Sequence, residues 1–221
     1  MIAEPTLQQA IDAYLTGRNA DGSALRAALE QAQEASRRQQ SVRGVQTSLL
    51  FTDIVDSSRA FVRYGDRYGR QIVAIHDDIV GAQVEHLGGD RVKHTGDGML
   101  ASFSACAAAV ESAVQIQSRV AAHNRDYPLL PLRLRIGINV GEVIAEEHDI
   151  FGFSVALASR ICDAAGPECI FTTGIVEARL REGRAAFRFA DQGRLRVKGF
   201  DQPVPVFEVR WWPAPIEWST V

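Results

Sequence analysis

Cysteine is scarce in this chain, and so is any excess of charge. Cys106, Cys162 and Cys169 are the three cysteines in 221 residues. An odd, scattered set offers no disulfide framework, and a reducing compartment is the default expectation. Lys plus Arg number 24 against 27 Asp plus Glu, a net charge of −3. That near balance removes the electrostatic case for a nucleic-acid partner or an anionic membrane surface. No apolar run approaches the roughly 18 residues expected of a transmembrane helix. The N-terminus, MIAEPTLQQA, lacks the basic start and apolar stretch of a signal peptide. The expected location is therefore cytoplasmic. Internal repeats are missing too, and the only bias is a mild one toward alanine. What is present, 46% hydrophobic and 23% charged, is a globular composition on a chain long enough to bury a core.

The first 44 residues differ from the rest. Pro5 suits a first helical position, and Leu7, Ile11, Tyr14 and Leu15 fall at helical spacing. GRNADG breaks the pattern, and Leu25, Ala28, Leu29 and Ala32 open a second helix that runs into the polar stretch EASRRQQSVRG. This predicts an N-terminal helical hairpin (1–44, with its linker) whose thin apolar face needs a partner. Residues 45–212 form the expected main domain and 213–221 a Trp- and Pro-rich tail.

Within the main domain SLLFTDI suits a buried strand. A long helical stretch follows, with Ile72, Ile75, Ile79, Val80, Val84 and Leu87 on one face, stopped by Gly88 and Gly89. Ser57 and Ser58 are good N-cap types for it. His76, Asp77 and Asp78 read as a solvated face of that helix, because adjacent residues diverge. RVKHT and MLASF flank the turn Gly96-Asp97-Gly98, a hairpin signal. An alanine-rich helix over 107–122 and the alternating LRLRIGINVGEVIA complete a β-α-β-β-α-β order. The expected fold class is α+β with a ferredoxin-like βαββαβ core. A helix over 154–165, the strand CIFTT, a short helix over 174–180 and two last strands close the domain.

Two carboxylates carry the chemical signal. Asp53 follows a buried strand, where an unpaired charge is costly. By itself it reads equally well as a helix cap. Asp97 lies in a Gly-Asp-Gly turn, where Asp is ordinary turn chemistry. In a β-α-β-β unit, however, the end of the first strand and the hairpin tip can meet. Two carboxylates there can hold two divalent cations, about 3.5–4 Å apart in two-metal sites. Oxygen ligands favour Mg²⁺ or Mn²⁺. That is a phosphoryl- or nucleotidyl-transfer arrangement.

The motifs FTDIVDSS, GGDRVKHTGDGMLASF, LRIGINVGEV, DIFGFSVALASRI and LRVKGF occur in the order found in class III nucleotidyl cyclases, and the chain resembles that family over about residues 46–210. GGD at 88–90 is a helix stop before a strand rather than a diguanylate-cyclase signature. The resemblance implies that Asp53 and Asp97 hold two Mg²⁺ or Mn²⁺ ions, with the Ile54 carbonyl joining one of them. It implies that backbone amides over Ile54, Val55, Asp56 and Ser57 contact the phosphates. Lys93 and Asp149 match the pair that reads adenine, the lysine at the ring and the carboxylate at the exocyclic amine. Arg160 matches the arginine that stabilises charge on the α-phosphate, and Lys198 the lysine that binds the phosphates. Each could otherwise be an ordinary solvated charge.

One position departs from the family pattern. Ala156 stands where an asparagine orients the ribose, and alanine offers no side-chain hydrogen bond. The resemblance implies a homodimer with composite sites, one protomer supplying the aspartates and the other the base-reading and arginine groups. The implied reaction is ATP to cyclic AMP and pyrophosphate. Two alternatives stay open. One is the same chemistry on UTP or CTP, since free-standing bacterial cyclases resembling this family make cyclic pyrimidine nucleotides as anti-phage signals. The other is a weakly active cyclase-like module that binds nucleotide.

Overall fold

The computed structural model describes residues 6–39, 46–146, 149–183 and 186–211. The chain divides into two units, Met1–Val45 and Gln46–Val221.

The first unit holds α1 (Leu7–Leu15) and α2 (Ser23–Gln39), packed as a hairpin. Thr6 is the N-cap of α1: its hydroxyl accepts from the Gln9 amide, and the Gln9 side chain accepts from the Thr6 amide. Pro5 lies outside the described residues, as do residues 40–44, the end of the polar stretch expected as linker. Ala10 and Ala28 are the buried contacts of this thin face.

The second unit is built on a sheet of order β2-β3-β1-β4-β7-β9-β8. Its strands are β1 (Gln46–Ile54), β2 (Asp90–His94), β3 (Gly98–Phe103), β4 (Leu134–Glu142), β7 (Ile170–Thr173), β8 (Phe189–Leu195) and β9 (Val204–Val209). β1 lies between β3 and β4, antiparallel to both, and among the described residues only β4–β7 is parallel. A side ribbon, β5 (Ile144–Glu146) with β6 (Asp149–Phe151), stands apart. The expected α+β fold with its βαββαβ core is what the chain adopts.

Period-two alternation sorts the side chains between the two sheet faces. Leu50, Met99, Ile136 and Ile138 belong to one core, beneath α4 (Asp66–His86), α5 (Cys106–Asp126) and α7 (Gly174–Glu182). Leu49, Phe51 and Leu100 belong to another, packed on Ala158 and Cys162 of α6 (Phe153–Ala164). Full burial of each such side chain is worth about 1.5–3 kcal/mol. One face is thus covered by three helices and the other by one.

The predicted single helix after β1 is two: α3 (Ser57–Tyr64) and α4, meeting at Gly65. Gly65 has φ 82°, the left-handed region where a side chain would be strained, so the first helix ends and the next begins there. The tail 213–221 lies outside the described residues. Among the described residues no helix is long and apolar enough to cross a membrane.

Candidate active site

Asp53 is the penultimate residue of β1, and the ladder sets Gly98 opposite it on one side and Arg135 on the other. Gly98 is obligatory here: a Cβ would meet the Thr52 carbonyl oxygen at 2.0 Å. The close approach brings the Asp97 turn against the end of β1. Ser57, the first residue of α3, donates its hydroxyl to Asp97 Oδ2. Arg135 Nε donates to Asp53 Oδ2 at 2.6 Å. Burial pushes the Asp53 carboxyl above its ordinary value of 3.8; Arg135 pulls it back, and the charge of Asp97 adds to the rise. An acid raised by burial and by its neighbour's charge, half sheltered and only partly neutralised, is poised for a cation.

Among the described residues no group of three or more His, Cys, Asp or Glu could hold a metal ion. The pair Asp53 and Asp97 nevertheless fits Mg²⁺ or Mn²⁺. Such ions are commonly held by one or two carboxylates, with substrate phosphates and water completing the shell.

The loop between β1 and α3 departs from expectation. Asp56, not Ser57 or Ser58, is the N-cap of α3, in the left-handed conformation at φ 61° and without a side-chain cap. Its carboxylate turns to Arg133, at 3.1 Å, and to Arg59, at 3.5 Å. Asp53 does not cap the helix. The Val55 amide donates to the Arg133 carbonyl at 2.9 Å, so it is already engaged within the protein. Beside this loop opens a cleft of about 300 Å³, lined by Ile54 to Ser57 together with Arg59, Arg63 and Arg133.

A second cluster forms from residues far apart in sequence. Lys93 Nζ, on β2, donates to Asp149 Oδ2, on β6, at 2.7 Å. This hydrogen bond holds the Asp149 carboxyl below its ordinary value. The ammonium also stands 5.0 Å from the centroid of the Phe151 ring, which is exposed. Lys93 is paired with Leu100 in the ladder, and Asp53 with Gly98. Both therefore share the sheet face that α6 covers only in part.

Arg160 is exposed on α6, 3.2 Å from Asp163. Asp163 also stands 3.7 Å from Arg135. Lys198 is exposed in the turn before Gly199. Ala156 is exposed near the start of α6. Cys162 is buried, and burial pushes its thiol far up, so it is no nucleophile.

Two residues at this site escaped the sequence reading. Arg135 looked like one polar tooth of an alternating strand; only the register sets it on Asp53. His76 is fully buried, not part of a solvated face. Its signal was present in the four-residue spacing from Ile72 through His76 to Val80 and Val84.

The family described as "Adenylate and Guanylate cyclase catalytic domain" matches residues 39–209. A Rhizobium meliloti protein named "Putative adenylate cyclase 3" is 33% identical over 170 residues, covering 76% of this chain and 29% of that protein. The chain thus spans under a third of that relative's length. The structure of an adenylate/guanylate cyclase/hydrolase from Silicibacter pomeroyi is 31% identical and superposes with a TM-score of 0.65 over 74% of this chain and 95% of that one. The adenylyl cyclase CyaB of P. aeruginosa shares the fold, with a TM-score of 0.67 at 20% identity over 75% and 93% of the two chains.

Proposed function

Since the chain belongs to the adenylate and guanylate cyclase catalytic domain family, we propose that it converts ATP to cyclic AMP and pyrophosphate. The observation that carries the adenine reading is the Lys93–Asp149 pair, a donor held 2.7 Å from an acceptor on the partly open sheet face. Adenine presents the complement: a ring nitrogen that accepts and an exocyclic amine that donates. Pairing of this kind can discriminate strongly between bases.

In the reaction the ribose 3′-hydroxyl gives up its proton to solvent and its oxygen attacks the α-phosphorus in line. A bond forms from that oxygen to phosphorus, the bond from phosphorus to the β-phosphate oxygen breaks, and pyrophosphate leaves with the electron pair. Asp53, Asp97 and the Ile54 carbonyl are the groups that would hold Mg²⁺ or Mn²⁺. Bound there, divalent cations supply charge neutralisation and lower the pKa of the attacking hydroxyl. Asp56 and Ser57 line the phosphate cleft, together with Ile54 and Val55. Ser57 in addition holds Asp97 in place through its hydroxyl. Arg160 stabilises the charge that grows on the α-phosphate, and Lys198 binds the phosphate chain, as preorganised cations do. No protein nucleophile takes part.

The working unit is a homodimer with two composite sites. Support comes from an exposed apolar surface at the starts of α6 and α7. Phe153 is 66% exposed and Ile175 42% exposed, and they border an apolar cleft of about 310 Å³ with Leu157 and Val204. A second copy would cover this surface and bring Lys93, Asp149, Arg160 and Lys198 to its own Asp53 and Asp97.

One observation favours a second reading. With Ala156 exposed near the start of α6, the ribose lacks the usual amide, which leaves room for a differently seated nucleotide. Cytosine presents the same donor and acceptor order as adenine on a smaller ring. Incubation with each NTP and Mn²⁺, read by mass spectrometry, decides between them. Cyclic AMP as the dominant product is expected; a dominant cyclic CMP or cyclic UMP would replace the adenylate reading by the pyrimidine one. Nucleotide binding with no turnover would leave only the binding module.

A further inference from the structure

Directly behind the two carboxylates lies a buried polar chain that the reaction does not use. His76, on α4, is 0% exposed and Thr52, on β1, is 1% exposed. His76 Nε2 is 2.8 Å from Thr52 Oγ1, and Nδ1 is 2.9 Å from Asp77 Oδ1. The Met99 amide donates to Thr52 Oγ1 at 3.1 Å.

The direction of every bond follows from what each group can do. An ionised carboxylate only accepts, so Nδ1 carries the hydrogen. Burial favours the neutral ring, so Nε2 accepts. Thr52 must then donate its hydroxyl hydrogen to His76, while its oxygen accepts from Met99. Hydroxyl, imidazole and carboxylate follow one another as in a nucleophilic triad, but the hydroxyl is sealed from substrate. What the chain can do is hold geometry.

The geometry it holds is specific. The rung Thr52–Met99 is adjacent to the rung Asp53–Gly98, and Asp97 precedes Gly98. The same Asp77 carboxylate lies 3.5 Å from His94 Nδ1, the last residue of β2. The turn carrying Asp97 is closed by the Thr95 amide on the Gly98 carbonyl at 2.9 Å. Both strands entering that turn are therefore tied to α4: β3 through Met99, Thr52 and His76, and β2 through His94 and Asp77. Two like charges held near one another push apart, and only a rigid frame keeps them at a set spacing.

We propose that His76 is a positioning residue which, through Thr52 and Asp77, clamps the Asp97 turn against the end of β1 and so sets the spacing of Asp53 and Asp97 for divalent-cation binding. This rests on the reading of those two carboxylates as the cation pair.

The test uses the full chain and Mn²⁺ alone, titrated by electron paramagnetic resonance without nucleotide. Thr52→Val keeps the side-chain volume and removes the hydroxyl; His76→Gln keeps an acceptor for that hydroxyl. Thr52→Val should weaken Mn²⁺ binding by about tenfold, in the range seen when outer-shell partners of metal ligands are removed. Thr52→Ser and His76→Gln should stay within about twofold of the parent, because they keep the link. A folded Thr52→Val, checked by circular dichroism, that binds Mn²⁺ as the parent does would overturn the proposal. If Thr52→Val does not fold, Asp77→Ala carries the test, since that side chain is 31% exposed. Weaker Mn²⁺ binding is again expected, and unchanged binding overturns the clamp. A parent chain that binds no Mn²⁺ would instead remove the cation reading itself.

Discussion

Arg135 and Asp53 are rung partners on neighbouring strands, and the guanidinium Nε donates to the carboxylate at 2.6 Å. The same guanidinium gives Nη1 to the Asp163 carbonyl at 2.9 Å. Its other end nears the Asp163 carboxylate, which also takes Arg160. A line of alternating charge thus runs from a proposed cation ligand to the proposed transition-state arginine within one protomer. Arg133, the residue just before β4, pairs with Asp56 at 3.1 Å.

Removal of Arg135 should leave two neighbouring acids without their cation. Arg135→Ala is expected to lower stability by about 1.5 kcal/mol, the low end for a hydrogen bond to a charged group, since both side chains keep some exposure. Adding Asp53→Asn should recover most of that loss. Urea unfolding of the two single variants and the double variant at neutral pH reads the cycle; a double variant no more stable than Arg135→Ala contradicts it.

Composite sites predict complementation. Asp53→Ala and Arg160→Ala should each be inactive, and a 1:1 mixture that exchanges subunits should regain about a quarter of the parent rate. Half of the dimers are then mixed, and each mixed dimer has one intact site. Mixtures that stay inactive while both variants dimerise would show that each protomer's groups serve one site together.

Base reading predicts a selective loss. Asp149→Ala removes the acceptor and leaves the Lys93 ammonium without its 2.7 Å partner. The kcat/KM for ATP is expected to fall by at least about 100-fold while discrimination between NTPs narrows. Parallel measurement on ATP, GTP, CTP and UTP checks this, and an unchanged preference would separate Asp149 from base recognition.

Acid should unfold the protein through His76. Burial pushes this imidazole below its ordinary value of 6.5; Asp77 and Asp97 oppose the fall, and His94 adds to it. Below about pH 6.5 the unfolded chain therefore binds a proton that the native chain refuses, so stability falls as pH falls, by at most about 1.4 kcal/mol per pH unit for one group. The contribution is complete above that value. His76→Gln should flatten the slope between pH 7 and 5, measured by denaturant unfolding; an equally steep slope in the variant would assign it to other groups.

The elements of the catalytic domain were legible because their signals are local. A short apolar run marked β1, alternation marked β4, and Gly96-Asp97-Gly98 marked the hairpin of β2 and β3. The α3–α4 break was not legible: Gly65 sits in a polar run where a helix could continue, and only its left-handed backbone, at φ 82°, ends one helix and starts the next. Asp56 was missed as the cap for a similar reason. Its residue type suits the left-handed region, but Arg133 and Arg59 claim its carboxylate instead of the helix amides.

The sequence by itself determined which residue types are available, and in what order: two acids near strand ends, a lysine and an acid in separate motifs, and an alanine in place of an amide. Only the tertiary structure decided who meets whom. Strand register put Arg135 on Asp53, an 82-residue separation. The side ribbon brought Asp149 to Lys93 across 56 residues. The rotation of α4 buried His76 while its neighbour Asp77 kept some contact with solvent. Pairing across strands depends on registers and helix rotations set by the packing of the whole core, and local sequence carries little of that information.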